Sequence, residues 1–320
     1  MLQILRTAGS TGERGNVNSV ATQRSIFLVS AVALVLVSAL LTRPDTGADL
    51  LVAGALIVAL GVPHGALDVL YLRKILRVRP TSRLLLALLG YVGVAVGVVV
   101  VWLLSPVVFL MGFLAASGFH FSGDPEEGAS TLMRISVGMG VIALPSLRHG
   151  QELEYLYGLL TNPSAASVLV QISLPLAMLV VGIAVVALIV ETTRKRYGNA
   201  LELIGILLTA TFVSPLLAFT TYFCLMHSAR HILRTVELAN LRWRAMLVEC
   251  TLPMLSVLVV GAVAFRLSPA KGLDAKVIQI LFVSLAALTA PHMIIVEPIR
   301  FRGWRVKTKT GLSDGSLRSR

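Results

Sequence analysis

Apolar runs long enough to cross a bilayer recur along almost the whole chain, and no other feature limits its fold so severely. A transmembrane helix needs about 20 mostly apolar residues to span a hydrocarbon core of about 30 Å, and inside that core each backbone polar group must find its partner within the protein. The 320 residues are 56% hydrophobic and 14% charged, against about 25% charged in an ordinary soluble domain. A soluble fold could not hide so much apolar surface. The chain therefore predicts an all-α, polytopic transmembrane helical bundle of about eight to ten spans, with no soluble second domain.

Residues 1–24 form a polar tail, 25–298 the membrane domain and 299–320 a basic tail. The first apolar run, Ile26 to Leu41, ends in Leu-Thr-Arg-Pro-Asp without a small-residue cleavage site, so it reads as an uncleaved span rather than a signal peptide. Hydropathy and the turn chemistry of Pro, Gly and charge clusters place ten crossings, at 26–42, 49–72, 84–104, 106–121, 135–147, 168–190, 200–215, 217–238, 249–266 and 277–297. The fifth is short, and at Ser214-Pro215 the alternative is one long helix kinked by the proline.

Lys and Arg mark the cytoplasmic side of a membrane protein. With the N-terminus inside, 23 of the 28 basic residues fall on the inner side, and only Arg43, Arg148, Arg266, Lys271 and Lys276 lie outside. Both tails are then cytoplasmic and the protein is a multi-pass cell-membrane protein. The formal charge of +12 sits in short loops beside apolar helices, where anionic lipid attracts it, and no basic module for nucleic acid is present. Cys224 and Cys250 fall in or beside apolar helices and read as buried fillers rather than a disulfide framework.

Five of the six histidines, His64, His120, His227, His231 and His292, occupy apolar segments. Ionisable groups are costly there and usually face a bundle interior with a task to perform. His227 and His231 share a helical face at i, i+4 spacing, which suits two ligands of one metal, a hydrogen-bonding pair or a proton relay. In the ten-span arrangement all five lie on helices running outside to inside, in the cytoplasmic half of the bundle. His149 falls in an outer loop and reads as solvated or capping. Clustered imidazoles without a carboxylate partner at matching spacing favour a first-row transition metal over calcium or magnesium, with iron, copper and zinc all open.

The segment Gly61-Val62-Pro63-His64-Gly65-Ala66-Leu67-Asp68 resembles the signature of the Brp/Blh family of membrane β-carotene 15,15′-dioxygenases. Ser-Gly-Phe-His120-Phe followed by Gly123-Asp124, then His227-Ser-Ala-Arg-His231, and finally Pro291-His292-Met293 appear in the family's order and approximate spacing, so the likeness covers about residues 50–297. The resemblance implies an enzyme that binds Fe2+ through His64, His120, His227 and His231. It further implies cleavage of the central 15,15′ double bond of β-carotene, or of a related carotenoid, with O2 to give two retinal molecules. His292 matches a family landmark without being assigned as a ligand.

A polyene dissolved in membrane lipid could enter such a site sideways between helices. Phe109, Phe113, Phe119, Phe121, Tyr222, Phe223 and Met226 neighbour the histidines and are candidates to line its path, although ordinary helix packing explains each one equally well. Asp68 either orients the His64 imidazole through its second nitrogen or pairs with Arg73, whereas Glu202 and Glu297 read as interfacial charge pairs. The rival reading is a transporter or channel in which the histidines pass protons or metal ions, and it requires polar groups through the full membrane thickness.

Overall fold

A computed structural model describes residues 12–40, 46–76, 78 and 80–311, with side chains described over 19–40, 49–76, 78 and 80–298. Parts of both predicted tails, together with Arg43, Arg77 and Arg79, lie outside the described residues.

All regular structure among the described residues is helical. Helix α1 (Gly12–Leu40) starts ahead of its apolar run. Next comes a broken rod made of α2 (Thr46–Leu56), a π-helical turn (Ile57–Gly61), α3 (Val62–Ala66), α4 (Asp68–Leu70) and a second π turn (Tyr71–Ile75). It is followed by α5 (Thr81–Leu104), α6 (Pro106–Phe121), α7 (Thr131–Ala143) with a 3-10 extension (Leu144–Leu147), α8 (Gly150–Leu160), α9 (Pro163–Thr193) and α10 (Tyr197–Phe212). Another broken rod joins α11 (Pro215–Tyr222), a π turn (Phe223–Ser228) and α12 (Ala229–Leu238), and the chain continues through α13 (Trp243–Leu267) and α14 (Leu273–Gly311).

Local chemistry sets several of these boundaries. Pro106 opens α6 after Ser105 leaves helical geometry, and Pro215 opens α11 after Val213 turns extended; proline suits a first helical turn, where its missing N–H is not needed. The break at Ser214-Pro215 is thus a true division, not a kink in one long helix. Ser130 caps α7 by accepting from Met133 N, and Asn162 caps α9 by accepting from Ala165 N.

Among the described residues six helical stretches are long and apolar enough to cross a membrane: Ser19–Leu40, Asp49–Ile75, Thr81–Leu104, Pro163–Thr193, Trp243–Leu267 and Leu273–Pro298. Of the other four predicted crossings, three coincide with shorter apolar helices, Pro106–Phe121, Thr131–Leu147 and Tyr197–Phe212. Sixteen residues of helix extend about 24 Å, less than a full hydrocarbon core. The fourth, α11 to α12, carries buried His227, Arg230 and Thr235 on its inner face. These four segments pack inside the bundle, whereas α5 buries none of its residues and α13 only Met246 and Cys250.

Helix α8 is an addition to the predicted pattern. It occupies the loop expected between the fifth and sixth crossings, burying Leu153, Tyr157 and Leu160 on one face. His149 stands at its N-terminal boundary, with Nδ1 3.6 Å from Glu152. The basic segment after residue 298 is no separate element at its start, since the backbone of α14 continues to Gly311.

Close backbone approach fixes the inner helices. A Cβ on Gly138 of α7 would collide with the carbonyl of Gly118 on α6, so the glycine pair lets these helices touch. At Gly61 a side chain would strike the Phe223 ring, and this glycine allows the π turns of the two broken rods to meet.

Candidate metal centre

The two broken rods carry the centre. His64 is the third residue after the π turn Ile57–Gly61, and the π turn Phe223–Ser228 contains His227. Single π turns inside α-helices shift side-chain register locally and recur at functional sites. His120 comes from the last turn of α6, His231 from α12 and His292 from the middle of α14.

All five side chains meet. His64 lies 5.1 Å from His227, 5.8 Å from His231 and 5.2 Å from His292, ring centre to ring centre. His120 lies 4.8 Å from His227 and 5.2 Å from His292, and His231 is 4.9 Å from His292. Four of them close a loop, His64 to His227 to His120 to His292 and back, with each ring between 70° and 89° to the next. His231 joins this loop on the His64 and His292 side, with its other face stacked on Tyr71 at 5.8 Å.

These spacings suit rings that converge on one ion. An imidazole bound through one nitrogen at about 2.1 Å has its centre a little over 3 Å from the metal, so two such rings at 90° to 110° stand about 4.6 to 5.3 Å apart. As the side chains stand, no group of three or more His, Cys, Asp or Glu among the described residues is placed so that it could hold a metal ion. The second nitrogens say which way the rings are wired. Carbonyl and carboxylate oxygens only accept, so an Nδ1 bonded to one carries the proton and its Nε2 keeps the lone pair. His64 Nδ1 donates to Gly61 O at 2.5 Å and lies 3.0 Å from Ser228 Oγ. His120 Nδ1 pairs with Glu297 at 2.8 Å, His227 Nδ1 with Asp124 at 3.0 Å and His292 Nδ1 with Asp68 at 2.6 Å. Nε2 of His227 and Nε2 of His292 are buried with no hydrogen-bond partner, an arrangement that is costly unless a ligand completes it. Imidazole donors of this kind fit iron, copper or zinc, and a carboxylate or carbonyl behind each ring is the usual support of a metal-binding histidine.

Three sequence expectations change here. Asp68 neither orients His64 nor pairs with Arg73: it accepts from His292 and, at 3.0 Å, from the Tyr91 hydroxyl, while Arg73 pairs with Glu249 at 3.4 Å. Glu297 is not an interfacial ion pair but the buried partner of His120. The histidines do have carboxylate partners within the bundle. They went unseen because each acid comes from a different helix than the ring it serves. A clue was present in the chain, where Asp68, Asp124 and Glu297 follow His64, His120 and His292 by four or five residues.

A buried ionic network stands behind the loop that carries Asp124. Arg230, almost fully buried, donates to Glu202 at 2.6 Å, to Gln23 Oε1 at 2.9 Å and to Asp124 O at 3.1 Å. Arg234 reaches the same carbonyl at 2.9 Å, and Arg24 ties Glu202 to Glu126 at 2.7 Å on each side. Glu202 was expected in an ion pair, and it is in one, but deep within the protein. Tyr222 donates to Asp124 Oδ2 at 2.5 Å. The remaining buried acid, Glu191, pairs with Asn199. The buried histidines, acids and arginine among the described residues thus belong to the histidine cluster, its carboxylates, the Arg230 network and the Glu191 pair, not to a spaced series such as a proton or ion path requires.

Aromatic side chains lead up to the rings. Phe223 lies 5.3 Å from His64 and 5.6 Å from His227, and Phe121 lies 4.9 Å from His227. Behind them a file runs through Phe219, Phe282 and Phe113 to Phe109, at ring separations of 5.3 to 6.4 Å. Met226 is fully buried in the same core, whereas Phe119 is 46% exposed and faces away from it. Phe219 and Phe282 were missed by sequence reasoning, although they stand only eight and ten residues ahead of His227 and His292. Cys224 and Cys250 are free and buried, as expected.

A family model described as beta-carotene 15,15′-dioxygenase matches residues 55–299. A protein of an uncultured marine bacterium, 66A03, named beta-carotene 15,15′-dioxygenase, is 33% identical over 266 residues, which span 80% of this chain and 96% of that protein. No solved structure matches.

Proposed function

The chain belongs to the β-carotene 15,15′-dioxygenase family, and from that premise we propose that it cleaves the central double bond of β-carotene with O2, using iron held by the buried histidines, to release two molecules of retinal. The convergence of five imidazoles, four of them buried and each of those four with an oxygen acceptor behind it, is the observation that carries this reading. His64, His120, His227 and His231 are the ligands that the family resemblance assigns. When bound, ferrous iron supplies the one-electron chemistry by which O2, a triplet, reacts with an alkene. In the overall reaction both oxygen atoms of one O2 end as the two aldehyde oxygens.

The protein's own residues prepare that step. Gly61 O, Asp124 and Glu297 hold Nδ1 protons and turn the other edges of His64, His227 and His120 toward one another. Phe121 and Phe223 close the cluster against water on the aromatic side, where the file from Phe109 offers flat apolar surface to a polyene. Exposed apolar side chains on α5, such as Leu86 and Leu89, put the outer wall in contact with lipid, in which the substrate dissolves. The cell membrane is the corresponding location, with both chain ends cytoplasmic as the basic residues distribute.

Expression in bacteria that accumulate β-carotene tests the activity. Loss of colour with stoichiometric appearance of retinal is expected, and retention of colour by a folded, iron-loaded protein would sink the substrate assignment.

A further inference from the structure

We infer that His292 is a metal ligand and that Asp68, itself held by Tyr91, is the residue that positions it. This rests on the reading of the histidine cluster as an iron centre. His292 comes from α14, the helix most distant in sequence from the first signature, and its ring is 1% exposed. Its neighbours on either side are His64 and His120, both at 5.2 Å, so it closes the four-ring loop that His64, His120 and His227 leave open. Its third neighbour, His231, is 4.9 Å away. No other ring in the cluster contacts three imidazoles except His64.

The wiring of His292 is that of a ligand rather than a structural histidine. Nδ1 donates to Asp68 Oδ1 at 2.6 Å, and Asp68 Oδ2 takes the Tyr91 hydroxyl at 3.0 Å, so one carboxylate fixes the ring with one oxygen and is itself fixed through the other. Asp68 is 2% exposed. A structural histidine so deeply buried would use both nitrogens, whereas here Nε2 has no hydrogen-bond partner and is sealed from solvent. The same pattern, Nδ1 on a buried acid and Nε2 bare, holds for His227. His231 is wired differently, with Nε2 3.4 Å from Thr235 Oγ1 and its ring stacked on Tyr71.

The test is anaerobic Fe2+ titration of the purified full-length protein in detergent, with bound iron counted after gel filtration. Against wild type, His292→Gly should lose iron as completely as His64→Ala, and added imidazole should restore it by filling the vacated place. Asp68→Asn keeps a hydrogen-bond acceptor and should fold with an unchanged unfolding midpoint in the metal-free state, yet bind Fe2+ about 10- to 100-fold more weakly. Tyr91→Phe should move affinity the same way by less. Wild-type iron content and affinity in His292→Gly would overturn the assignment, and unchanged affinity in Asp68→Asn would overturn the positioning role even if the histidine variant failed to fold. A wild-type protein that binds no Fe2+ would instead bring down the iron reading itself, a result distinct from either.

Discussion

Each acid at the centre follows one histidine closely in the chain and serves the histidine of another segment. Asp68 follows His64 and holds His292; Glu297 follows His292 and holds His120; Asp124 follows His120 and holds His227; Ser228, next to His227, stands against His64. At residue scale the consequence is that His120, His227 and His292 are each oriented by an acid from another segment, whereas His64 meets its own Gly61 carbonyl as well as Ser228, and His231 meets Thr235 of its own helix. Spacing four residues apart in a chain suggested a same-helix pair for Asp68 and His64. That pairing fails because His64 Nδ1 is already engaged within its own turn. Asp124 is the acid most firmly held, by Tyr222 at its side chain and by Arg230 and Arg234 at its carbonyl. Asp124→Asn is therefore expected to leave the loop in place and to lower iron affinity about 10- to 100-fold, read as metal content after dialysis. Unchanged content would show that His227 needs no charge behind it.

At the scale of elements, hydropathy made the lipid-facing helices legible and concealed what lies between them. Helices α5, α9 and α13 are long, apolar and read correctly because the bilayer alone dictates them. Helix α8 escaped notice because its 11 residues alternate an apolar stripe with Gln151, Glu152 and Glu154, giving no hydropathy peak. The π turns were equally invisible, since they arise where two rods press together across Gly61 and Phe223, a contact between residues 162 positions apart in sequence. The Arg230 network joins α1, α10, α12 and the loop after α6. Removing one partner of a buried ion pair strands the other, at a cost of about 3–5 kcal/mol. Arg230→Met should accordingly lower the unfolding midpoint in detergent markedly, and a midpoint equal to wild type would mean that Glu202 is satisfied by Arg24 alone.

For the molecule as a whole, the fold class and the gathering of five histidines toward one side of the bundle were readable because membrane-crossing helices must alternate direction, which fixes which helix ends share a side. Which partner each imidazole takes was not readable, being decided by packing of side chains from helices far apart in sequence. The same alternation makes a testable statement about orientation. Single cysteines placed at Glu127, in the loop after α6, and at Asn240, after α12, should react with a membrane-impermeant thiol reagent only after the cytoplasmic face is opened. One at Ala270, between α13 and α14, should react in intact cells. Native Cys224 and Cys250 are buried and give little background. Reaction of Ala270 and Asn240 from one side would refute the ten-crossing arrangement.

The interlocked supports also impose an order on biogenesis. They begin at Gly61 and are complete only with Glu297, so a nascent chain cannot assemble them while its last helix is still within the ribosome. A metal held by this cluster would find its full set of supports only once α14 has emerged, and a polypeptide released one helix early would carry His120 without its acid and Asp68 without its imidazole.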